Sequence, residues 1–212
     1  MEILEFILHL EVYLEQIMQT YPEWFYLILF LVIFIETGLV VLPFLPGDSL
    51  LFATGALAAS FPSSINIFLA LIILFAAAVL GDTLNYSIGK YFGKRLIHLT
   101  FSGRRLIKDE HIKKTEQFFD TYGAKTIVIA RFVPIVRTLA PFVAGITAMH
   151  YRTFIRFNLI GGIVWVFGIT LLGYFLGNLP IVQENFKYVV VAIIIFSLFP
   201  VIIEWIKNRK RH

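Results

Sequence analysis

The sequence predicts an all-α, polytopic membrane protein in which spanning helices accompany two broken, re-entrant helical hairpins related by an inverted repeat. Three observations lead to this fold class. Hydrophobic residues fill 58% of the 212 positions and charged residues only 15%, whereas soluble domains carry about 25% charged residues. Apolar runs recur at the length of roughly 20 residues that a spanning helix needs. Two of these runs contain prolines and charges that spanning helices avoid.

The elements follow from hydrophobic periodicity and from its interruptions. Residues 1–20 carry apolar side chains on one side and glutamates among the others, which predicts an amphipathic helix at the membrane surface. The predicted spanning helices are 64–96, 153–177 and 186–206, and a polar segment predicts a cytoplasmic surface helix at 104–122. We treat all elements as one membrane domain covering 1–212.

The first broken segment is 24–59, which contains the stretch PFLPGDSLLF from Pro43 to Phe52. Two prolines, a glycine and an aspartate interrupt the apolar run there, and proline and glycine are poor helix formers. The segment is either a re-entrant hairpin or two full spans. Irregular backbone at membrane depth is tolerated only where protein buries it or where it lines a cavity.

The second broken segment is 125–148. Two arginines and two prolines interrupt it, namely Arg131, Pro134, Arg137 and Pro141. Basic residues cluster at 90–114 and again at 207–211. Because loops rich in Lys and Arg stay in the cytoplasm, we place both clusters and the C-terminus there. The second segment then starts and ends on the cytoplasmic side, which predicts a re-entrant hairpin.

Two pairs of short segments indicate an internal repeat. FATGALA at 52–58 resembles FVAGITA at 142–148, and GKYFG at 89–93 resembles GYFLG at 173–177. Each half therefore consists of a broken hairpin followed by a helix that ends in glycines, and the charge pattern places the two hairpins on opposite faces. Inverted repeats with broken helices are typical of secondary transporters, which bind substrate near the bilayer midplane.

Four charged residues in the broken segments form the candidate site. Ionisable groups at membrane depth cost about 2.5–3.5 kcal/mol each, so we expect them to form pairs in a polar interior. Arg131 and Arg137, the latter near the predicted hairpin tip, are assigned to substrate binding because guanidinium groups suit phosphate. The alternative for Arg131 is that it neutralises a carboxylate. Glu36, in an apolar run, is a candidate proton carrier, and Asp48 is either a second carrier or a helix cap. The alternative is that these residues form salt bridges with a purely structural role.

Asp82 and Asn85 are secondary candidates. They lie three residues apart on one face of the helix at 64–96. Asp82 is a candidate for a proton pathway, and the alternative is a polar pair that packs helices beside Gly81. Asn158 is interpreted as a residue that forms hydrogen bonds between helices.

Several functions are not expected. The chain has no cysteine, no histidines at metal-ligand spacing and no nucleotide-binding motif, so we expect no metal, no cofactor and no nucleotide-driven pumping. A lipid phosphatase needs a nucleophile and a general base, and no histidine lies in either hairpin, so we do not expect an enzyme. We expect the basic tail to bind anionic membrane lipids rather than nucleic acid. Homo-oligomerisation is left open.

Four motifs extend over nearly the whole chain: ETGLVVLPFLPGDSLLFATGALA, GDTLNYSIGKYFGK, ARFVPIVRTLAPFVAGI and FNLIGGIVWV. They resemble the motifs of the DedA family of membrane proteins, whose VTT domain is shared with eukaryotic lipid scramblases. The resemblance implies a multi-pass protein of the bacterial inner membrane with two inward-pointing hairpins. It also implies lipid transport, with members linked to undecaprenyl phosphate recycling, to phosphatidylethanolamine translocation or to resistance that depends on the proton motive force. The family's essential acids correspond to Glu36 and Asp48, and its essential arginines to Arg131 and Arg137.

We therefore expect a lipid flippase that returns undecaprenyl phosphate to the cytoplasmic leaflet, with protons as the candidate coupling ion. The expected substrate is an anionic lipid or a lipid phosphate. The alternative is a phosphatidylethanolamine scramblase or translocator, which needs a hydrophilic groove but no proton coupling.

Overall fold

The computed structural model describes residues 22–39, 47–98, 100–101, 104–105 and 109–179. The predicted amphipathic helix at 1–20, the predicted span at 186–206 and the basic tail lie outside these residues, and so do residues 40–46, which include two of the prolines. What is described is almost entirely helical.

The described helices alternate with short turns and one small antiparallel hairpin. The helices are α1 Pro22–Gly38, α2 Gly47–Ser60, α3 Ile67–His98, α4 Asp109–Tyr122, α5 Thr126–Ala130, α6 Pro134–Ile146, α7 Tyr151–Gly162 and α8 Gly168–Gly177. A 3₁₀ turn, Gly123–Lys125, precedes α5, and a π-helical turn, Ile163–Phe167, joins α7 to α8. The hairpin pairs β1 Thr100–Phe101 with β2 Arg104–Arg105. The prediction of an all-α protein is confirmed.

Within the described part of the chain, two helical segments are long and apolar enough to cross a membrane. They are Ile67–Gly93 in α3, and Tyr151–Gly177, which runs from α7 through the π-helical turn to α8. Each has 27 residues and spans about 40 Å at 1.5 Å per residue, which exceeds the roughly 30 Å of a bilayer core. They correspond to the helices predicted at 64–96 and 153–177.

The polar helix starts later than the sequence predicts. The prediction of a helix over 104–122 is wrong at its beginning, because α4 runs from Asp109 to Tyr122 and Arg104 and Arg105 form β2. The positive end of the helix dipole disfavours arginines in the first turn. The electrostatics of the helix start therefore explain the shift.

The second broken segment has one break instead of two. The break lies at 131–133, between α5 and α6. Val133 is extended (φ −119°, ψ 104°), as expected before a proline, and Pro134 occupies the first turn of α6, where its missing N–H is not needed. The expectation that Pro141 also breaks the helix is wrong, since it lies inside α6. Residues 138–145 around it are all buried, so tertiary packing offsets the lost hydrogen bond.

The described chain divides into two compact units. Residues 22–32, 47–74 and 166–179 belong to the first unit, and residues 33–39 together with the described part of 75–165 belong to the second. The first broken segment consists of two helices, since α1 ends at Gly38 and α2 begins at Gly47. The single membrane domain and the re-entrance of both hairpins stay predictions.

In the first unit, α2 and α8 make backbone contact through glycines. A Cβ atom on Gly55 would lie 2.8 Å from the backbone nitrogen of Tyr174, and one on Gly173 would lie 2.9 Å from the carbonyl carbon of Phe52. Real Cβ atoms essentially never approach other atoms so closely. Glycine is therefore required at both positions, as is common where membrane helices pack closely.

In the second unit, α3 and α6 make a contact of the same kind. A Cβ atom on Gly145 would lie 2.7 Å from a backbone nitrogen of α3, and one on Gly89 would lie 2.9 Å from a carbonyl carbon of α6. The repeat found in the sequence aligns Gly145 with Gly55 and Gly89 with Gly173. Each unit thus contains a glycine-dependent helix pair that joins a helix of one repeat half to a helix of the other at matching positions, whereas the inverted orientation stays a prediction.

We expect Gly173→Ala to destabilise the protein and Gly168→Ala not to. The first change forces α8 away from α2, and overpacking of this kind costs about 1–3 kcal/mol. Gly168, on the same helix, is exposed and has no described atom within 4 Å of its Cβ position. Alanine therefore fits there and stabilises the helix by up to about 1 kcal/mol through its higher helix propensity. Thermal unfolding in detergent measures both variants, and equal midpoints would contradict the close helix contact.

Candidate functional site

Four ionisable side chains and a tryptophan come together inside the second unit. Glu36 lies in α1, Asp82 in α3, Arg131 in the turn between α5 and α6, and Arg137 in α6. Glu36 and Asp82 are each 5% exposed and Arg131 is 4% exposed. The two positive charges offset the two negative ones. Pairing of this kind is the condition under which charges are tolerated at membrane depth.

Arg131 occupies the helix break, and two side chains hold its guanidinium group. Nη2 forms an ion pair with Oδ2 of Asp82 and donates a hydrogen bond of 2.7 Å to Oδ1 of Asn158. Asn158 Nδ2 donates in turn to the carbonyl of Val79 at 3.1 Å, which fixes the amide's orientation. A Cβ atom on Gly161 would lie 3.0 Å from Nε of Arg131, so this glycine provides the space for the arginine.

Arg137 lies one turn into α6, which begins at Pro134 directly after the break, and its place near the tip of a re-entrant hairpin stays a prediction. Its Nη2 is 3.2 Å from Oε1 of Glu36. This ion pair joins an acid of the first broken segment to an arginine of the second. The prediction that opposite charges of the two segments pair is therefore confirmed for Glu36 and Arg137. The carboxylate that pairs with Arg131 is Asp82 of α3, which the sequence offers only as a secondary candidate.

Trp165 is the residue of this cluster that sequence reasoning missed. It is fully buried, and its ring centroid lies 4.1 Å from the guanidinium carbon of Arg137 and 5.4 Å from that of Arg131. Cation–π contacts contribute about 2 kcal/mol when desolvated. Trp165 lies in the π-helical turn, and such turns are frequent at functional sites. The sequence feature that could have indicated this contact is a tryptophan within an apolar span of a chain that also has arginines in its apolar segments.

Asn85 fixes the backbone on both sides of the Glu36–Arg137 pair. Its Nδ2 donates hydrogen bonds to the carbonyl of Thr37 at 3.1 Å and to that of Thr138 at 2.8 Å. Since each threonine directly follows one partner of the ion pair, a single amide ties α1, α3 and α6 together beside it. These contacts favour the helix-packing interpretation of Asn85.

Asp48 lies in the first unit, in the first turn of α2, and is partly exposed. A carboxylate at this position interacts favourably with the helix dipole, which agrees with the capping alternative. Its relation to the arginines of the second unit stays a prediction, and so does its role in proton coupling.

The fold and the cluster define a helical membrane protein with a buried site of paired charges. The VTT domain family matches residues 45–175, a region that contains both arginines and Trp165. Over 208 residues, the chain is 47% identical to Protein DedA of Escherichia coli (strain K12), an alignment that covers 98% of this chain and 94% of that protein. The chain belongs to the DedA family of membrane proteins, as its motifs predict.

Two further relatives support this assignment. The chain is 42% identical over 173 residues to an uncharacterized membrane protein of Mycobacterium tuberculosis (strain H37Rv), covering 82% of this chain and 75% of that one. It is 34% identical over 161 residues to the inner membrane protein YqjA of Escherichia coli (strain K12). This alignment covers 74% of this chain and 69% of that protein. No solved structure gives a significant match.

We expect a double-mutant cycle to show strong coupling between Glu36 and Arg137. Either Glu36→Gln or Arg137→Met alone leaves a buried charge uncompensated, which costs about 3–5 kcal/mol. The loss of unfolding free energy in the double variant is expected to be smaller than the sum of the two single losses by about 1–3 kcal/mol. Unfolding of the four proteins in detergent measures this difference.

The control cycle combines Glu36→Gln with Arg156→Met, because Arg156 is an exposed arginine of α7. The losses of unfolding free energy caused by these two substitutions are expected to add up in the double variant. Additivity in the Glu36–Arg137 cycle as well would contradict a direct ion pair.

Proposed function

We propose that the chain transports a lipid phosphate across the bacterial inner membrane, with undecaprenyl phosphate as the substrate and protons as the coupling ion. In this proposal the protein returns the phosphate headgroup to the cytoplasmic leaflet. The name of the relative YqjA supports the location, and the two membrane-length helices support a multi-pass chain. The basic tail supports a cytoplasmic C-terminus.

The observation that carries the proposal is the pair of guanidinium groups at one tryptophan. Arg131 and Arg137 both contact Trp165, and in this proposal the two guanidinium groups bind the oxygens of a single headgroup. Guanidinium groups bind phosphate with two parallel hydrogen bonds. A phosphomonoester carries a charge of about −1.5 to −2 at neutral pH, which two arginines balance.

Glu36 links phosphate binding to proton binding. While Glu36 is ionised, it occupies Arg137 and repels an incoming phosphate. Protonation of Glu36 removes both obstacles, so each ligand favours the binding of the other, as reciprocal linkage requires. Glu36 and Asp48 are the proposed proton carriers, and Arg131 and Arg137 are the proposed substrate-binding residues.

Flipping of a labelled lipid phosphate in proteoliposomes tests the proposal. We expect Arg137→Ala to slow transport at least about tenfold, since hydrogen bonds to charged groups contribute about 1.5–3 kcal/mol. Arg156→Ala removes an exposed arginine of α7 and serves as the matched control with unchanged transport. An acidic exterior that drives the lipid inwards would support the coupling.

Three outcomes would contradict the proposal. The first is transport of the lipid phosphate by Arg137→Ala at the rate of the unaltered chain. The second is movement of phosphatidylethanolamine as fast as the lipid phosphate and without response to a pH gradient, which would support the scramblase alternative. The third is release of inorganic phosphate, which would indicate an enzyme, whereas we propose that the chain catalyses no reaction.

A further inference from the structure

We propose that Asp82 competes with the transported headgroup for Arg131 and takes up a proton when the headgroup binds. This inference rests on the proposed function and adds a second proton-linked carboxylate to it. Asp82 lies within the membrane-length segment Ile67–Gly93. The side chains of Asp82 and Arg131 are 7% and 3% exposed, so the ion pair is buried.

The guanidinium group of Arg131 has more donors than its described partners use. Asp82 and Asn158 both accept from Nη2, whereas Nε and Nη1 are buried and have no acceptor among the described residues. Buried polar groups are normally hydrogen-bonded, and an arginine offers five N–H donors in a fork. A phosphate has three acceptor oxygens and can bind Nη2 together with either Nε or Nη1, so a phosphate bound in this way needs the nitrogen that Asp82 occupies.

An ionised Asp82 opposes the binding of a phosphate to Arg131. A carboxylate and a phosphate at one guanidinium group repel each other, so the phosphate binds well only after the carboxylate is protonated or moves away. Asp82 interacts with the charged Arg131 and Arg137. Arg137 in turn pairs with Glu36, and Arg131 also contacts the uncharged Asn158 and Trp165.

A purely structural salt bridge between Asp82 and Arg131 makes a different prediction. Such a bridge joins α3 to the helix break in every state of the protein, so it neither gains nor loses a proton on binding. Proton uptake therefore distinguishes the two roles, whereas a loss of stability or activity on substitution would not.

The test measures proton uptake by calorimetry. The purified chain in detergent is titrated with a polyprenyl monophosphate in two buffers that differ in their enthalpy of ionisation, which yields the number of protons bound. A pH of about 8 keeps the ligand a dianion, because its second pKa is near 6. Asp82→Asn is compared with Asp120→Asn, which removes an exposed carboxylate of α4.

We expect Asp120→Asn to match the unaltered chain, and Asp82→Asn to take up about one proton fewer while binding at least as tightly. Equal uptake in Asp82→Asn and the unaltered chain would overturn the inference and leave the proposed function standing. No binding of the lipid phosphate by the unaltered chain would overturn both.

A second variant covers the case in which Asp82→Asn does not fold. The double substitution Asp82→Leu with Arg131→Leu removes both charges, which a protein core tolerates better than one charge left alone. Because Arg131 also belongs to the proposed binding site, Arg137 is left to bind the phosphate and the number of protons is counted per bound ligand. A loss of about one proton in this variant supports the inference. Uptake equal to that of the unaltered chain counts against it.

Discussion

The cost of placing charge at membrane depth is the constraint on which the second unit depends. Each of the four ionisable side chains has an opposite charge in contact, and the two pairs bring α1, α3, α6 and the helix break together. Buried ion pairs are often no more stabilising than apolar contacts of the same volume. Stability alone therefore does not account for their presence, and Trp165 in contact with both arginines gives the cluster a defined geometry.

One face of α3 holds this cluster in place. Gly81, Asn85, Gly89 and Gly93 follow one another at intervals of four residues, so they lie on the same side of the helix. Gly81 contacts α1, Asn85 binds the backbone of both α1 and α6, and Gly89 and Gly93 contact α6. This close packing fixes the distance between α1 and α6, which carry Glu36 and Arg137. Asp82, one position from Gly81, contacts Arg131 from the same helix.

Much of this arrangement could be predicted from the sequence, because charge and proline are costly in apolar runs. That cost singles out Glu36, Arg131 and Arg137 and requires opposite charges to meet. The pairing of Asp82 with Arg131 could not be predicted, since it depends on how α3 and the break pack. The same holds for Trp165, whose direction is set by a π-helical turn. The sequence predicts a break at Pro141 because local propensity does not include the burial that stabilises α6.

The most direct measurement follows the fluorescence of Trp165 when a lipid phosphate binds. Trp24→Phe and Trp205→Phe leave Trp165 as the single tryptophan of the chain. A headgroup that draws the two guanidinium groups towards its oxygens changes their contact with the ring, so the account predicts a saturable change in emission with a polyprenyl phosphate and none with phosphatidylethanolamine. Emission that stays constant while calorimetry shows the phosphate binding would contradict it.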